Sequence, residues 1–85
     1  MENTRLFKIS DIENALVSKT LIEVYRSLES RGYNPTSQII GYLITGDPGF
    51  ITSFENARSK MTNLDREKVL EIILMDYMKN NIWNI

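Results

Sequence analysis

GYNPTSQIIGYLITGDPGF, residues 32–50, contains all 4 glycines and both prolines of the chain. Asn34-Pro35 has the pattern of an N-cap followed by proline at the first helical position, where a missing amide hydrogen costs nothing. Gly46 can adopt the left-handed conformation that closes a helix, so the stretch predicts a helix over residues 35–45. Asp47-Pro48 repeats the cap-and-proline pattern and predicts a short turn after that helix.

Charge divides the chain into three parts around this stretch. Residues 1–31 and residues 55–85 each carry five basic and five acidic residues, whereas residues 32–54 carry only Asp47. Apolar side chains cover most of the circumference of the predicted middle helix. The middle part is therefore expected to be covered by the core of the fold or by a partner.

A long amphipathic helix is predicted before the middle stretch. Ser10 and Glu13 fit a capping box, and apolar residues at helical spacing follow them for roughly 20 residues. Gly32 would end this helix. Residues 1–9 are expected to form a flexible segment outside it.

Two further helices are predicted after the middle stretch. Thr52 and Glu55 fit a second capping box, which would open a short helix with polar faces that ends near Met61. A last helix would run from Asp65 to about residue 79. Leu64, just before Asp65, and Val69 in the helix would form a hydrophobic staple.

The last helix carries more apolar residues than a single stripe can hold, at positions 69, 70, 72–75, 77 and 78. A monomer of this size would not cover all of them, and closed two-fold pairs are the commonest oligomers. We therefore predict an all-α, compact domain of four to five helices, spanning residues 10–81, that forms a symmetric homodimer. Residues 82–85 would be a C-terminal tail.

Composition excludes several classes of function. The chain has 0 His and 0 Cys, which removes thiolate nucleophiles, the usual zinc sites and the side chain best suited to proton transfer near pH 7. We predict no enzymatic activity, no metal, no cofactor and no small-molecule substrate. The net charge of −1 offers no general attraction for nucleic acid or an anionic membrane. No signal peptide or membrane-spanning run is recognised, so a cytoplasmic location is expected.

Three local patterns suggest sites but have simpler interpretations. Gly41 and Gly46 resemble a phosphate-binding loop, yet that loop needs Lys and Ser or Thr after its second glycine, where Asp47 would repel phosphate. Acidic residues of the last helix, at positions 65, 67, 71 and 76, have basic residues among them and are typical of a solvated face. Aromatic residues at positions 33, 42, 50 and 54 are more often part of a core or an interface than of a ligand site.

A nucleic-acid-binding module remains the alternative. Two helices around a glycine turn suggest a helix-turn-helix, with Arg58 and Lys60 facing phosphates on the second helix. Two cations are weak support, because affinity for nucleic acid depends on the number of phosphates that are neutralised.

Thr4 is predicted to be a feasible acceptor hydroxyl for a kinase. A kinase threads its substrate in extended form, and Thr4 precedes every predicted helix. Its phosphate would add about −1.5 to −2 charge units to a nearly neutral protein. The other threonines considered, at positions 36, 45, 52 and 62, are predicted to be caps or helix residues.

Residues 30–58, SRGYNPTSQIIGYLITGDPGFITSFENAR, resemble the IreB family of small regulatory proteins of Gram-positive bacteria. The flanking helices also fit the outline of that family. The matching elements are Gly32-Tyr33-Asn34-Pro35, Gln38-Ile39, Gly41-Tyr42-Leu43, Gly46-Asp47-Pro48, Ile51 and Ala57-Arg58.

The resemblance implies a helical homodimer that acts as a cytoplasmic regulator. It further implies phosphorylation on threonine by a transmembrane PASTA-type serine/threonine kinase, reversed by its phosphatase, in a pathway that controls cell-envelope stress and tolerance of β-lactams such as cephalosporins. In the family the acceptor lies in an N-terminal Thr-x-x-Phe motif, which Thr4 to Phe7 match here.

Overall fold

The structure, a computed structural model, describes the backbone of residues 2–82 and the side chains of residues 12–82. Over that part the chain is all-helical, which confirms the predicted fold class. None of the helices described is long and apolar enough to cross a membrane. The elements are α1 (Glu2–Ser30), α2 (Pro35–Thr45), a 3₁₀ turn (Pro48–Phe50), a second 3₁₀ turn (Phe54–Asn56), α3 (Ala57–Thr62) and α4 (Arg66–Asn81).

Helix α1 begins at Glu2, so the predicted start at Ser10 is wrong. Residues 2–9 contain neither proline nor glycine, and nothing in them interrupts a helix. Glu13 makes a tertiary contact instead of forming part of a capping box: its carboxylate lies 3.6 Å from Nζ of Lys68. The mobility of residues 1–9 stays a prediction, as does the tail 82–85, of which residues 83–85 lie outside the described residues.

The core lies where α1 crosses the shorter helices. The side chains of α1 at its centre are Val24 and Leu28, both 0 % exposed. Burying an aliphatic side chain of this size stabilises the fold by about 1.5–3 kcal/mol. Val17 of α1 is also buried, and the rest of the described chain adds Tyr42, Leu43, Ile51, Ala57, Met61 and Val69.

The segment that precedes α3 differs from its prediction. Glu55 and Asn56 have φ angles of 53° and 61°, so they leave the helical region and no capping box forms. Oγ of the buried Ser27 donates to Oε1 of Glu55 at 3.3 Å, which fixes that carboxylate on α1. The polar faces expected for this helix are also wrong, because Ala57 and Met61 are 0 % exposed against α1.

Helix α4 follows its prediction closely. Oδ1 of Asp65 accepts from the backbone N–H of Glu67 at 3.0 Å, and the helix then runs from Arg66 to Asn81. Val69 is fully buried and Leu64 packs against the core, as a hydrophobic staple requires. Only Val69 is buried among the described residues of α4, so most of its apolar side chains remain exposed.

Candidate functional site

The turn between α1 and α2 uses the first group of predicted motif residues. Gly32 has φ 84°, which allows the backbone N–H of Tyr33 to donate to the Leu28 carbonyl at 3.1 Å. Oδ1 of Asn34 accepts from the N–H of Ser37 at 3.0 Å, and Pro35 occupies the first turn of α2. The side chain of Tyr33 stays half exposed. These residues therefore set the angle between the two helices.

Gln38 and Gly41 attach α2 to the turn that follows it. Nε2 of Gln38 donates to the Phe50 carbonyl at 3.0 Å. The ring of Phe50 lies so close to Gly41 that an added β-carbon would meet it at 2.5–2.9 Å. Tyr42, the next residue, is only 5 % exposed and belongs to the core. The middle of α2 therefore lies under the Phe50 ring, with no space for a ligand between them.

The second glycine closes α2 against α4. Gly46 has φ 74°, and its N–H donates to the Tyr42 carbonyl at 2.7 Å. The guanidinium of Arg66 lies where a side chain at Gly46 would stand, and its Nη1 donates to the Leu43 carbonyl at 3.3 Å. A carbonyl left without a helical partner at the end of α2 is thereby satisfied. Arg66 was not among the predicted motif residues, because no local pattern marks a contact across 23 positions.

Asp47, Pro48 and Arg58 hold the turn that follows α2. Oδ1 of Asp47 accepts from the N–H of Gly49 at 2.8 Å. Nε of Arg58 donates to the carbonyls of Pro48 and Ile51, at 3.2 Å and 2.9 Å. The structure thus brings Gln38, Gly41, Asp47, Pro48 and Arg58 together around the turn after α2, and we call these residues the motif cluster. Gly32 to Pro35 lie at the other end of α2. The polar side chains of the motif cluster hold backbone segments rather than line a pocket.

The two cations of the helix-turn-helix alternative are both engaged within the fold. Arg58 binds the carbonyls of the turn, and Nζ of Lys60 lies 3.5 Å from Oε2 of Glu23. A side chain that ties two backbone carbonyls is not available to follow a phosphate chain without releasing them. The geometry therefore does not favour nucleic acid as the partner.

A comparison with protein families agrees with the motif. The model of the IreB family, described as IreB regulatory phosphoprotein, matches residues 2–79. The chain belongs to the IreB family. It is therefore a member of a family of regulatory phosphoproteins, and the match includes both Thr4 and the motif cluster.

Thr4 lies in the first turn of α1 in this IreB family member. Its side chain is outside the described part, and its role as an acceptor stays a prediction. The first four N–H groups of any helix have no partner within the helix.

Among the acidic residues predicted for the last helix, Glu71 forms a surface pair and Asp65 caps the helix. Oε1 of Glu71 accepts from Nζ of Lys68 at 3.2 Å, and the carboxylate of Glu13 lies 3.6 Å from the same Nζ. The hydrogen bond to Glu71, followed by the charges of Glu71 and Glu13, raises the pKa of Lys68. This three-residue network joins the first half of α1 to α4.

The most prominent surface feature of this IreB family member is an apolar stripe on α4. Its residues are spaced at i, i+3, i+4 and i+7, and each is between 41 % and 61 % exposed. The stripe lies beside the buried Val69 rather than opposite it, since Ile73 follows Val69 by four residues. We call this surface the α4 stripe; it consists of Leu70, Ile73, Leu74 and Tyr77. Helix α2 exposes two further isoleucines, Ile40 and Ile44.

Proposed function

We propose that this IreB family member is a non-enzymatic regulator that is switched by phosphorylation of Thr4. The observation that carries the proposal is the match to a family of regulatory phosphoproteins over residues 2–79, a range that includes Thr4. The motif cluster adds indirect support, because its polar side chains already bind the backbone of the fold. What remains for signalling is the N-terminal turn of α1 and the exposed apolar surface.

The kinase in this proposal is a transmembrane PASTA-type serine/threonine kinase, and a phosphatase reverses its action. Both follow from the sequence resemblance, as does the pathway, which controls the response to cell-envelope stress and tolerance of β-lactams such as cephalosporins. The protein would act in the cytoplasm. The protein has a net charge of −1. One phosphate adds about −1.5 to −2 charge units, which is more than the whole net charge of the unmodified protein.

The proposed switch is the stability of the first turns of α1. Without phosphate, the first turn opens and presents Thr4 in the extended form that a kinase binds. With phosphate, the negative group near the helix N-terminus interacts favourably with the helix dipole. Lys8 follows Thr4 by four residues, which is the spacing at which opposite charges on a helix attract each other. Phosphorylation would therefore order the N-terminal end of α1.

The proposed functional unit is a homodimer that covers the α4 stripe. An exposed stripe with helical spacing is typical of a helix that packs against another helix. Leu74 and Tyr77, at 60 % and 61 % exposed, would be the centre of this contact. A two-fold axis beside α4 would place the same stripe on both subunits, as closed pairing requires.

Mapping the phosphate tests the proposal. The protein, a Thr4→Ala variant and a Thr36→Ala control are each incubated with the cytoplasmic domain of a PASTA-type kinase and analysed by mass spectrometry. We expect one phosphate on Thr4 in the wild type and in the control, because Thr36 lies inside α2. Thr4→Ala should remain unmodified. Phosphate on another residue, with Thr4 unmodified, would refute the assignment.

A further inference from the structure

Helix α2 exposes apolar side chains although it contains no charged residue. Its sequence, PTSQIIGYLIT, spans Pro35–Thr45. Tyr42 and Leu43 are buried in the core, whereas Ile40 and Ile44 are 49 % and 75 % exposed. Residues that are four positions apart lie on the same side of a helix, so the two isoleucines share one outward surface. We call this surface the α2 face; it consists of Ile40 and Ile44.

The core of the protein leaves the α2 face open. Residues 32–54 carry only one charged residue, Asp47, and its Oδ1 accepts from the backbone N–H of Gly49. The outward side of a surface helix normally carries charged side chains. An uncharged segment can be covered by the core or by a partner, and the exposure of Ile40 and Ile44 leaves the partner.

The α2 face and the α4 stripe begin at the same contact between two helices. Nη1 of Arg66 donates to the Leu43 carbonyl at 3.3 Å, and Ile44 is the next residue of α2. On α4, the stripe residues Leu70 and Tyr77 follow Arg66 by four and eleven positions, which places them on the same side of the helix as Arg66. The α4 stripe therefore extends along the side of α4 that contacts the end of α2.

The α4 stripe is too small to hold a dimer together by itself. A stable interface between two proteins buries about 800 Å² of each partner, contributed by about 20–30 residues. The α4 stripe has four residues, and none of them is more than 61 % exposed. A dimer that covers the α4 stripe must therefore bury a second surface as well.

We propose that the dimer interface includes the α2 face, and that the α4 stripe of the second copy covers Ile40 and Ile44. This inference rests on the homodimer of the proposed function and names the surface that the α4 stripe contacts. In a two-fold pair the contact occurs twice, because each α2 face meets the α4 stripe of the other subunit. None of the six side chains carries a charge, so no ion has to be buried and no like charges meet.

Charged substitutions at two isoleucines test the proposal. Ile44→Glu places a carboxylate in the α2 face, and Ile12→Glu places one on α1 at similar exposure, 68 % against 75 %. Circular dichroism would confirm that both variants keep their helix content. By sedimentation equilibrium we expect Ile44→Glu to weaken the dimer by about tenfold or more, because an unpaired carboxylate would be buried. Ile12→Glu should form the dimer as wild type does.

Cross-linking shows which surfaces meet. The chain has 0 Cys, so variants with a single cysteine can be linked only between subunits. Ile44→Cys and Leu74→Cys variants are mixed and treated with a short bifunctional maleimide, and mass spectrometry identifies the linked peptides. We expect several-fold more linkage between positions 44 and 74 than between positions 12 and 74 in a control mixture of Ile12→Cys with Leu74→Cys.

The outcomes separate this inference from the proposed dimer. If Leu74→Glu dissociates the dimer and Ile44→Glu does not, the α2 face is not in the interface, and the proposed dimer stands. Linkage between positions 44 and 74 no stronger than the control would overturn the inference in the same way. A wild-type protein that sediments as a monomer would refute the dimer and this contact together, leaving the phosphorylation of Thr4 to its own experiment.

A different occupant of the α2 face would also be detected. In the wild-type dimer, a soluble paramagnetic agent should broaden the NMR methyl signals of Ile44 several-fold less than those of Ile12. Equal broadening would show that the α2 face is open to another protein or to a membrane, and would overturn the inference.

Discussion

The ring of Phe50 occupies the space beside Gly41, where a β-carbon would lie 2.5 Å from Cε1 of Phe50. This contact holds the turn after α2 against the middle of α2. Gln38 lies on the same side of the helix and binds the Phe50 carbonyl at 3.0 Å. One residue of the turn is thus held twice, through its ring and through its backbone.

Gly41→Ala is therefore expected to destabilise the protein even though alanine favours helices. The added methyl group would force the Phe50 ring out of its position, at a cost of about 1–3 kcal/mol. Gly49→Ala is the matched control, because its nearest neighbour is Oδ1 of Asp47 at 3.1 Å and its backbone is unstrained. Urea unfolding of both variants checks this expectation. Equal stability of the two would show that the Phe50 contact does not constrain Gly41.

Arg58→Met is expected to lower the free energy of unfolding by about 1–2 kcal/mol, because two backbone carbonyls lose a donor. Lys79→Met removes the same charge from an exposed position of α4 and should change stability little. Thermal unfolding measures both variants. A neutral effect of Arg58→Met would mean that water replaces the guanidinium without cost.

The turn signals of the sequence predict much of this fold because they act locally. The bounds of α2 follow from Asn34, Pro35 and Gly46, whose effects reach only one helical turn. The predicted start of α1 at Ser10 is wrong because a capping box permits a helix to begin but does not require it. Contacts between distant parts of the chain also limit what the sequence predicts. The position of Glu55 depends on Ser27, which lies 28 residues earlier.

The candidate site could be predicted only in part, because its contacts also join distant parts of the chain. The motif residues were identified by resemblance, but the roles of Gln38 and Arg58 as donors to distant carbonyls required the folded backbone. Arg66, which closes α2, has no local signature in the sequence. The excess of apolar residues in α4 was visible from composition, and the structure adds which of them are exposed.

The network around Lys68 makes a prediction about pH. Its hydrogen bond to Glu71 and the charge of Glu13 raise the pKa of Lys68 above its ordinary value of 10.5. Because the folded-state pKa is raised, the stabilisation is complete below the unfolded pKa and is lost as the pH rises through the folded pKa. Lys68→Met should therefore be less stable than wild type at pH 8, and the difference should shrink above pH 10.5.

Urea unfolding of wild type and Lys68→Met across this pH range measures the difference. Glu13→Gln introduced into the Lys68→Met background is the control, since it should have no further pH-dependent effect once the lysine is gone. A difference that stays constant from pH 8 to pH 11 would contradict the role of the Lys68 charge.

The mass of the protein in solution tests the central claim, which is that a second copy covers the α4 stripe. Leu74→Glu places a charge in the stripe, while Met75→Glu places the same charge on another side of α4 at similar exposure, 51 % against 60 %. Circular dichroism would confirm that both variants keep their helix content. By sedimentation equilibrium we expect wild type and Met75→Glu at twice 9.9 kDa and Leu74→Glu at 9.9 kDa. A wild-type mass of 9.9 kDa, or a Leu74→Glu variant that remains a dimer, would contradict the account.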